Sequence, residues 1–251
     1  MDLDTYSDMA KPIRLSIIVP AYNEATRIGP TLQKIFAYLA RQSYAAEVLV
    51  VDDASTDKTA DAVEKILSGK AHCRLLRNEK NIGKGGSVRR GMLEAQGELR
   101  LFSDADLSTP IEEVEKFFKQ VPPFDVVIAS RRVKGCNVAK RQPVMREASG
   151  RVFSLLVRLL TLRGFIDTQC GFKLFTAKAA EDIFRRQTIN RFGFDVEILY
   201  IAKKMGYRIK ESPVTWFDSP DTRVRFLRDA TRMFLDLLII RWNDVRGLYT
   251  K

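Results

Sequence analysis

Two aspartates one residue apart, Asp104 and Asp106, stand in the stretch Leu101 to Thr109, LFSDADLST. The apolar run before them has strand character. Behind them the order of residues predicts a helix start, with Thr109 as N-cap, Pro110 at N1 and Glu112 at N3. The carboxylates are therefore expected at the carboxyl end of a strand, where open α/β sheets bind their ligands. Carboxylates held this close repel unless a proton or a cation relieves them. A hard divalent ion, Mg²⁺ or Mn²⁺, held by one or two carboxylates and completed by substrate phosphates, would do so. A solvated, Asp-rich turn is the alternative, and the rest of the chain has to decide between the two.

The elements that must position this pair alternate in type. Leu15 to Val19, LSIIV, reads as a buried parallel strand ended by Pro20. A helix follows over Thr26 to Ala40, with Ile28, Leu32, Ile35, Phe36 and Leu39 on one face. Glu47 to Val51 is a second strand running into Asp52 and Asp53, and the next helix ends near Leu67. Then come a short strand, Cys73 to Leu76, and the loop Asn81 to Gly86 opening a helix toward Ala95. Leu99 to Phe102 is the strand before the acidic pair, Val114 to Phe118 lie on a helix, and Val126 to Ala129 form another strand. Such alternation predicts βαβ units and an α/β fold with a parallel sheet.

Beyond Ser130 the pattern changes to a basic loop, Arg131 to Arg141, and a helix over Arg146 to Thr161. Asp167 to Phe175 reads as a turn into a strand, Asp195 to Met205 as a helix and Arg208 to Trp216 as a strand. A last helix, Phe226 to Trp242, carries Leu227, Ala230, Phe234, Leu237 and Leu238 in a stripe flanked by Arg228, Arg232 and Arg241. With no internal repeat or low-complexity linker, one domain over residues 1–251 is expected, in three sections at 1–130, 131–225 and 226–251.

Composition narrows the function classes. In 251 residues, 45% hydrophobic content is ample for a buried core. Apolar runs such as Leu237 to Ile240 and Leu155 to Val157 fall far short of the ~20 residues that span a bilayer. The start, MDLDTYSDMAKP, lacks a basic n-region and an apolar h-region, so neither a signal peptide nor an anchor is expected, and the cytoplasm is the expected compartment. Cys73, Cys136 and Cys170 are widely spaced and suit reduced thiols. The net charge of +11 is unevenly placed: residues 131–251 hold 25 Lys+Arg against 12 Asp+Glu. Such a basic half suits a polyanion, whether nucleic acid, an anionic membrane face or a phosphorylated substrate.

The glycine loop is neither a P-loop, whose first glycine would fall at Asn78, nor a dinucleotide fingerprint, whose third would fall at Val88. Glycines opening a helix still let backbone approach a ligand, with Lys84 available to a phosphate. His72, the single histidine, reads as a loop residue.

Taken together, V-P-A-Y-N-E at Val19 to Glu24, V-D-D-A-S-T-D at Val51 to Asp57, N-x-G-K-G-G and D-A-D-L-S resemble family 2 of inverting, GT-A-fold glycosyltransferases. A-S-R at Ala129 to Arg131, D-T-Q-C-G-F-K at Asp167 to Lys173 and F-G-F-D-V-E at Phe192 to Glu197 resemble the subgroup that transfers a sugar to a polyprenyl phosphate. Within it the chain is most similar to dolichyl-phosphate β-glucosyltransferases and more loosely to dolichyl-phosphate mannose synthases.

The resemblance implies a Rossmann-like, mostly parallel sheet flanked by helices, with C-terminal amphipathic helices. It implies that Pro20, Ala21, Tyr22 and Glu24 line the base and ribose, that Asp52 or Asp53 accepts a base N–H, and that Lys84, Asp104 and Ala105 meet the nucleotide sugar. Asp104 and Asp106 would hold the metal, with Ser108 or a water as third ligand where mannose synthases often have glutamine. The chemistry implied is a single inverting displacement with a nucleoside diphosphate leaving. A lipid phosphate, its second pKa near ~6, needs no strong base; for a hydroxyl acceptor, Asp195 is the candidate base. Arg131, Arg146 and Arg151, then Arg223 and Arg225, would form the acceptor-phosphate cradle. UDP-glucose is the expected donor, with GDP-mannose the alternative. Peripheral attachment at the cytoplasmic face of a membrane is expected, through the helices Arg146 to Thr161 and Phe226 to Trp242. The non-enzyme rival, a nucleotide- or nucleic-acid-binding module, leaves Asp104 and Asp106 without a task.

Overall fold

The computed structural model describes residues 12–140, 153–218 and 226–250. Among them, seven strands form one sheet: β1 (Leu15–Ala21), β2 (Ala46–Asp52), β3 (Cys73–Arg77), β4 (Leu99–Ser103), β5 (Val126–Ser130), β7 (Phe172–Thr176) and β8 (Ile209–Pro213). The spatial order is β3-β2-β1-β4-β7-β5-β8, and only β7 runs against its neighbours. A separate parallel pair joins β6 (Asn137–Lys140) to β9 (Thr215–Phe217).

Helices cover both faces. On one lie α1 (Ile28–Leu39), α2 (Thr59–Leu67) and α4 (Val114–Phe118), and on the other α3 (Lys84–Glu94), α6 (Ala177–Arg186), α7 (Phe194–Lys204) and α8 (Phe226–Val245). The helix α5 is described over residues 153–160. The strands β1, β2 and β5 are almost wholly buried because both sides of the sheet are covered there. Ile17, Ile18 and Val19 are completely buried, each contributing about 1.5–3 kcal/mol of transfer free energy.

The predicted alternation through β5 is observed. Four local readings differ. Residues 111–113 form a 3₁₀ turn capped at Pro110 with no side-chain cap bond, so Thr109 is not an N-cap; its hydroxyl meets Cys170 Sγ at 3.6 Å. The strand expected over Arg208 to Trp216 breaks at Val214 into β8 and β9, which belong to different sheets. Helix α6 was not anticipated, although Thr176 caps it through Ala179 N–H and Ala179, Ala180, Ile183 and Phe184 give it a buried face. In α8 the expected stripe divides: Leu237 is buried, whereas Phe234 and Leu238 face outward with Leu235, Ile239, Trp242 and Val245. Of the predicted helix Arg146 to Thr161, the first residues lie outside the described ones.

This topology fixes where a ligand can sit. β1 has β2 on one side and β4 on the other, and Ala21 lies beside Asp52. The chain reverses its direction of winding between β1 and β4, so the loops after these strands splay apart and leave a crevice at their carboxyl ends.

Candidate active site

Three loops form the crevice, those after β1, β2 and β4, and each holds a non-glycine residue in the left-handed region: Asn23 (φ 54°), Ala54 (φ 57°) and Leu107 (φ 45°). Such conformations cost energy and persist where the surroundings over-determine them. Asn23 Oδ1 accepts from Thr56 N–H at 2.8 Å, which ties the first loop to the second. Thr31 of α1 donates to Ala105 O at 2.5 Å, which ties the third loop to the first helix. Tyr22 is exposed at the rim, while Pro20 and Ala21 are buried in β1.

The paired aspartates have separate tasks. Asp53 is saturated: its carboxylate accepts from Ile82 N–H (2.9 Å), Gly83 N–H (2.8 Å) and Asn78 Nδ2 (2.9 Å), and so shapes the glycine loop. Gly83, at φ 95°, has no room for a Cβ against Asn190 O. Asp52 is 1% exposed, and its Oδ1 is buried with no hydrogen-bond partner. A buried acceptor left open at a crevice is suited to an incoming N–H. Glu24 turns its carboxylate to Arg27, at 2.6 and 2.8 Å.

At the end of β4, Asp106 Oδ1 accepts from Ser108 N–H at 2.9 Å. Burial, and then the charge of Asp104, raise the Asp106 pKa above the ordinary carboxylate value. Asp104 is held from two directions. Its N–H donates to Gly171 O at 3.0 Å, and Lys84 Nζ lies 2.6 Å from its Oδ1. Burial acts to lower the Lys84 pKa, but Asp104, Asp195 and Asp106 together outweigh it and raise it. Beneath them Asp195, in the first turn of α7, pairs with Lys173 of β7, which is 0% exposed and also donates to Cys170 O at 2.8 Å. Burial keeps the Asp195 pKa raised even though Lys173 and Lys84 pull it down. The protein partner of Asp195 is thus the buried Lys173. Neither Gly171 nor Lys173 was picked out as a site residue, although both lie in the D-T-Q-C-G-F-K motif.

Arg131 follows β5, and its guanidinium is engaged by Asp167: Nε to Oδ2 at 2.7 Å and Nη2 to Oδ1 at 2.8 Å, with the Trp216 ring 5.4 Å below. Burial disfavours the Asp167 carboxylate, but Arg131 more than compensates and lowers its pKa to about 2. Arg146, Arg151, Arg223 and Arg225 lie outside the described residues.

No group of three His, Cys, Asp or Glu able to hold a metal occurs among the described residues. Asp104 and Asp106 offer two carboxylates, a donor set that suits a hard ion completed by phosphate and water oxygens. Gly171 leaves the space that the Asp104 carboxylate fills. The residues present therefore fit a divalent ion carried in with a phosphorylated ligand.

A Rossmann-like sheet with one reversed strand and an acidic pair at its switch point defines a GT-A glycosyltransferase. Residues 16–184 match the model of glycosyl transferase family 2, and the chain belongs to that family. It is 37% identical over 247 residues to a dolichyl-phosphate β-glucosyltransferase of Trichomonas vaginalis, covering 94% of this chain and 73% of that one. The human dolichyl-phosphate β-glucosyltransferase is 35% identical over 251 residues, covering 94% and 77%. Among solved structures, the fold is similar to glucosyl-3-phosphoglycerate synthase from Mycobacterium tuberculosis in complex with Mn²⁺, UDP-glucose and phosphoglyceric acid (TM-score 0.64, 17% identity, 95% and 81% covered).

Proposed function

We propose that this chain transfers glucose, with inversion, from UDP-glucose to dolichyl phosphate at a membrane surface. The observation that carries the reading is the meeting of Asp104 and Asp106 with the open Asp52 carboxylate at one switch-point crevice, in a chain whose relatives carry this activity in their names. The Asp52 Oδ1 accepts the base N–H, Tyr22 offers the base an aromatic surface, and Lys84 faces the diphosphate. Asp104 and Asp106 would hold Mg²⁺ or Mn²⁺, which stabilises the charge that develops on the departing diphosphate.

The acceptor needs no proton removed, because a phosphomonoester is already largely dianionic at neutral pH. The buried pairing of Asp195 with Lys173 supports this acceptor over a hydroxyl one, since a carboxylate so engaged is a poor general base. In this reading residues 1–130 serve the donor, 131–225 the acceptor and 226–251 the membrane, with Arg131 and the arginines of the undescribed segments around the acceptor phosphate. No helix among the described residues is long and apolar enough to cross a bilayer. Instead, α8 presents Phe234, Leu235, Leu238, Ile239, Trp242 and Val245 outward, with Arg241 exposed beside them, a pattern suited to an anionic interface.

Turnover of radiolabelled UDP-glucose and GDP-mannose with and without dolichyl phosphate, with Mn²⁺ or with a chelator, tests the proposal. Glucosyl lipid formed only with metal is the expected product. Mannosyl lipid would reassign the donor, and no lipid-linked sugar from either donor would overturn the acceptor assignment.

A further inference from the structure

Lys84 occupies the place of a counter-ion. Its ammonium lies 2.6 Å from Asp104 Oδ1, a buried oxygen that no other group is in place to satisfy. The lysine's backbone, by contrast, is fixed: Asp53 holds Ile82 and Gly83 just before it, and Gly86 N–H donates to Asn190 O at 3.0 Å just after it. Only the side chain is left to move, and it is 22% exposed toward the crevice.

The charges around it explain why it stays there. Asp104, Asp106 and Asp195 all act on Lys84, and Lys173 is committed to Asp195. Without the Lys84 ammonium, Asp104 would keep no described cation in contact with it, since Arg131, whose charge also reaches Asp104, is taken up by Asp167. With a divalent ion on that pair, Lys84 becomes a surplus positive charge, which the donor's diphosphate can take, since Asp195 is already paired with Lys173.

We propose that Lys84 is an exchangeable counter-ion: it neutralises Asp104 while the site is empty, yields that carboxylate to the incoming divalent ion, and moves its ammonium onto the diphosphate of the donor. The proposal rests on the assignment of Asp104 and Asp106 to the metal and donor. Lys84 therefore opposes metal binding in the absence of nucleotide and favours it once nucleotide is present, so that metal and donor bind together rather than in turn.

Calorimetric titration of Mn²⁺, alone and with UDP, tests this without any turnover. Lys84→Gln should bind Mn²⁺ alone about tenfold more tightly than wild type, as expected for removing one competing charge at a partly exposed site. It should bind UDP with Mn²⁺ about tenfold more weakly. Lys84→Arg should keep the competition, and Lys84→Met serves as a second neutral variant, with thermal melts confirming that each is folded. Mn²⁺ affinity in Lys84→Gln and Lys84→Met equal to or below wild type would overturn the exchange while leaving the metal site standing. No Mn²⁺ binding by wild type even with UDP, or binding unchanged by Asp104→Asn and Asp106→Asn, would overturn the metal assignment and the exchange with it.

Discussion

Gly171→Ala probes the geometry of the donor site through a single methyl group. Gly171 precedes β7, and its carbonyl accepts the Asp104 N–H at 3.0 Å, so the two backbones cannot separate without breaking that bond. A Cβ at Gly171 would run into the Asp104 carboxylate. Of the three carboxylate atoms it meets, even the most distant, Oδ1, would lie only 2.5 Å away, against about 3.4 Å for ordinary contact. The nearest, Oδ2, would lie at 2.0 Å, so the carboxylate must swing aside by more than about 1 Å, and a displacement of about 1 Å at reacting groups already costs on the order of 100-fold in rate. Overpacking costs a further about 1–3 kcal/mol of stability, less where a side chain rather than backbone gives way. The expected result is kcat/KM for glucosyl-lipid formation lowered about 100-fold, weaker Mn²⁺ binding and a modest fall in Tm. Activity within about threefold of wild type in a folded protein would refute the idea that Gly171 cradles Asp104 for its task.

Three other outcomes follow from the same geometry. Lys173→Met leaves Asp195 buried without its cation and should destabilise the fold by about 3–5 kcal/mol in urea denaturation; a loss under about 1 kcal/mol would mean that Asp195 finds another partner. Asp167, with its folded pKa lowered from 3.8 to about 2, contributes stability that is fully present above the unfolded value and is lost as pH falls through about 2. Wild type should therefore lose about 2 kcal/mol between pH 5 and 2 that Asp167→Asn does not, as read from paired denaturation curves. Trp242→Asp with Leu238→Asp, both on the exposed side of α8, should abolish co-sedimentation with anionic vesicles while leaving Tm near wild type; undiminished sedimentation would remove α8 as the membrane contact.

The amino-acid sequence determined much of this protein through local signals. Apolar runs leading into Pro20, Asp52 and Asp104 give strands whose polar residues collect at one end, and alternation with amphipathic helices makes the first five strands parallel, because the hydrophobic period acts over a few residues. The acidic pair, its place after β4 and the family were legible for the same reason. Helix α6 was missed, although Thr176 and the spacing of its buried face are local signals for it.

What the tertiary structure decided depends on residues far apart in the chain. Asp52 and Asp53 are adjacent and identical in type, and the position of the loop 78–83 makes Asp53 a saturated scaffold while Asp52 keeps its Oδ1 open. The insertion of β7, antiparallel, between β4 and β5 brings Gly171 against Asp104 and Lys173 against Asp195, and neither pairing has a periodic signature. Arg131, in sequence a basic residue for the acceptor phosphate, has its guanidinium held in space by Asp167 as well. Charge and type are properties of a residue, but the partner that satisfies a buried charge is set by chain topology, and a low-dielectric site makes that partner decide what the residue can do.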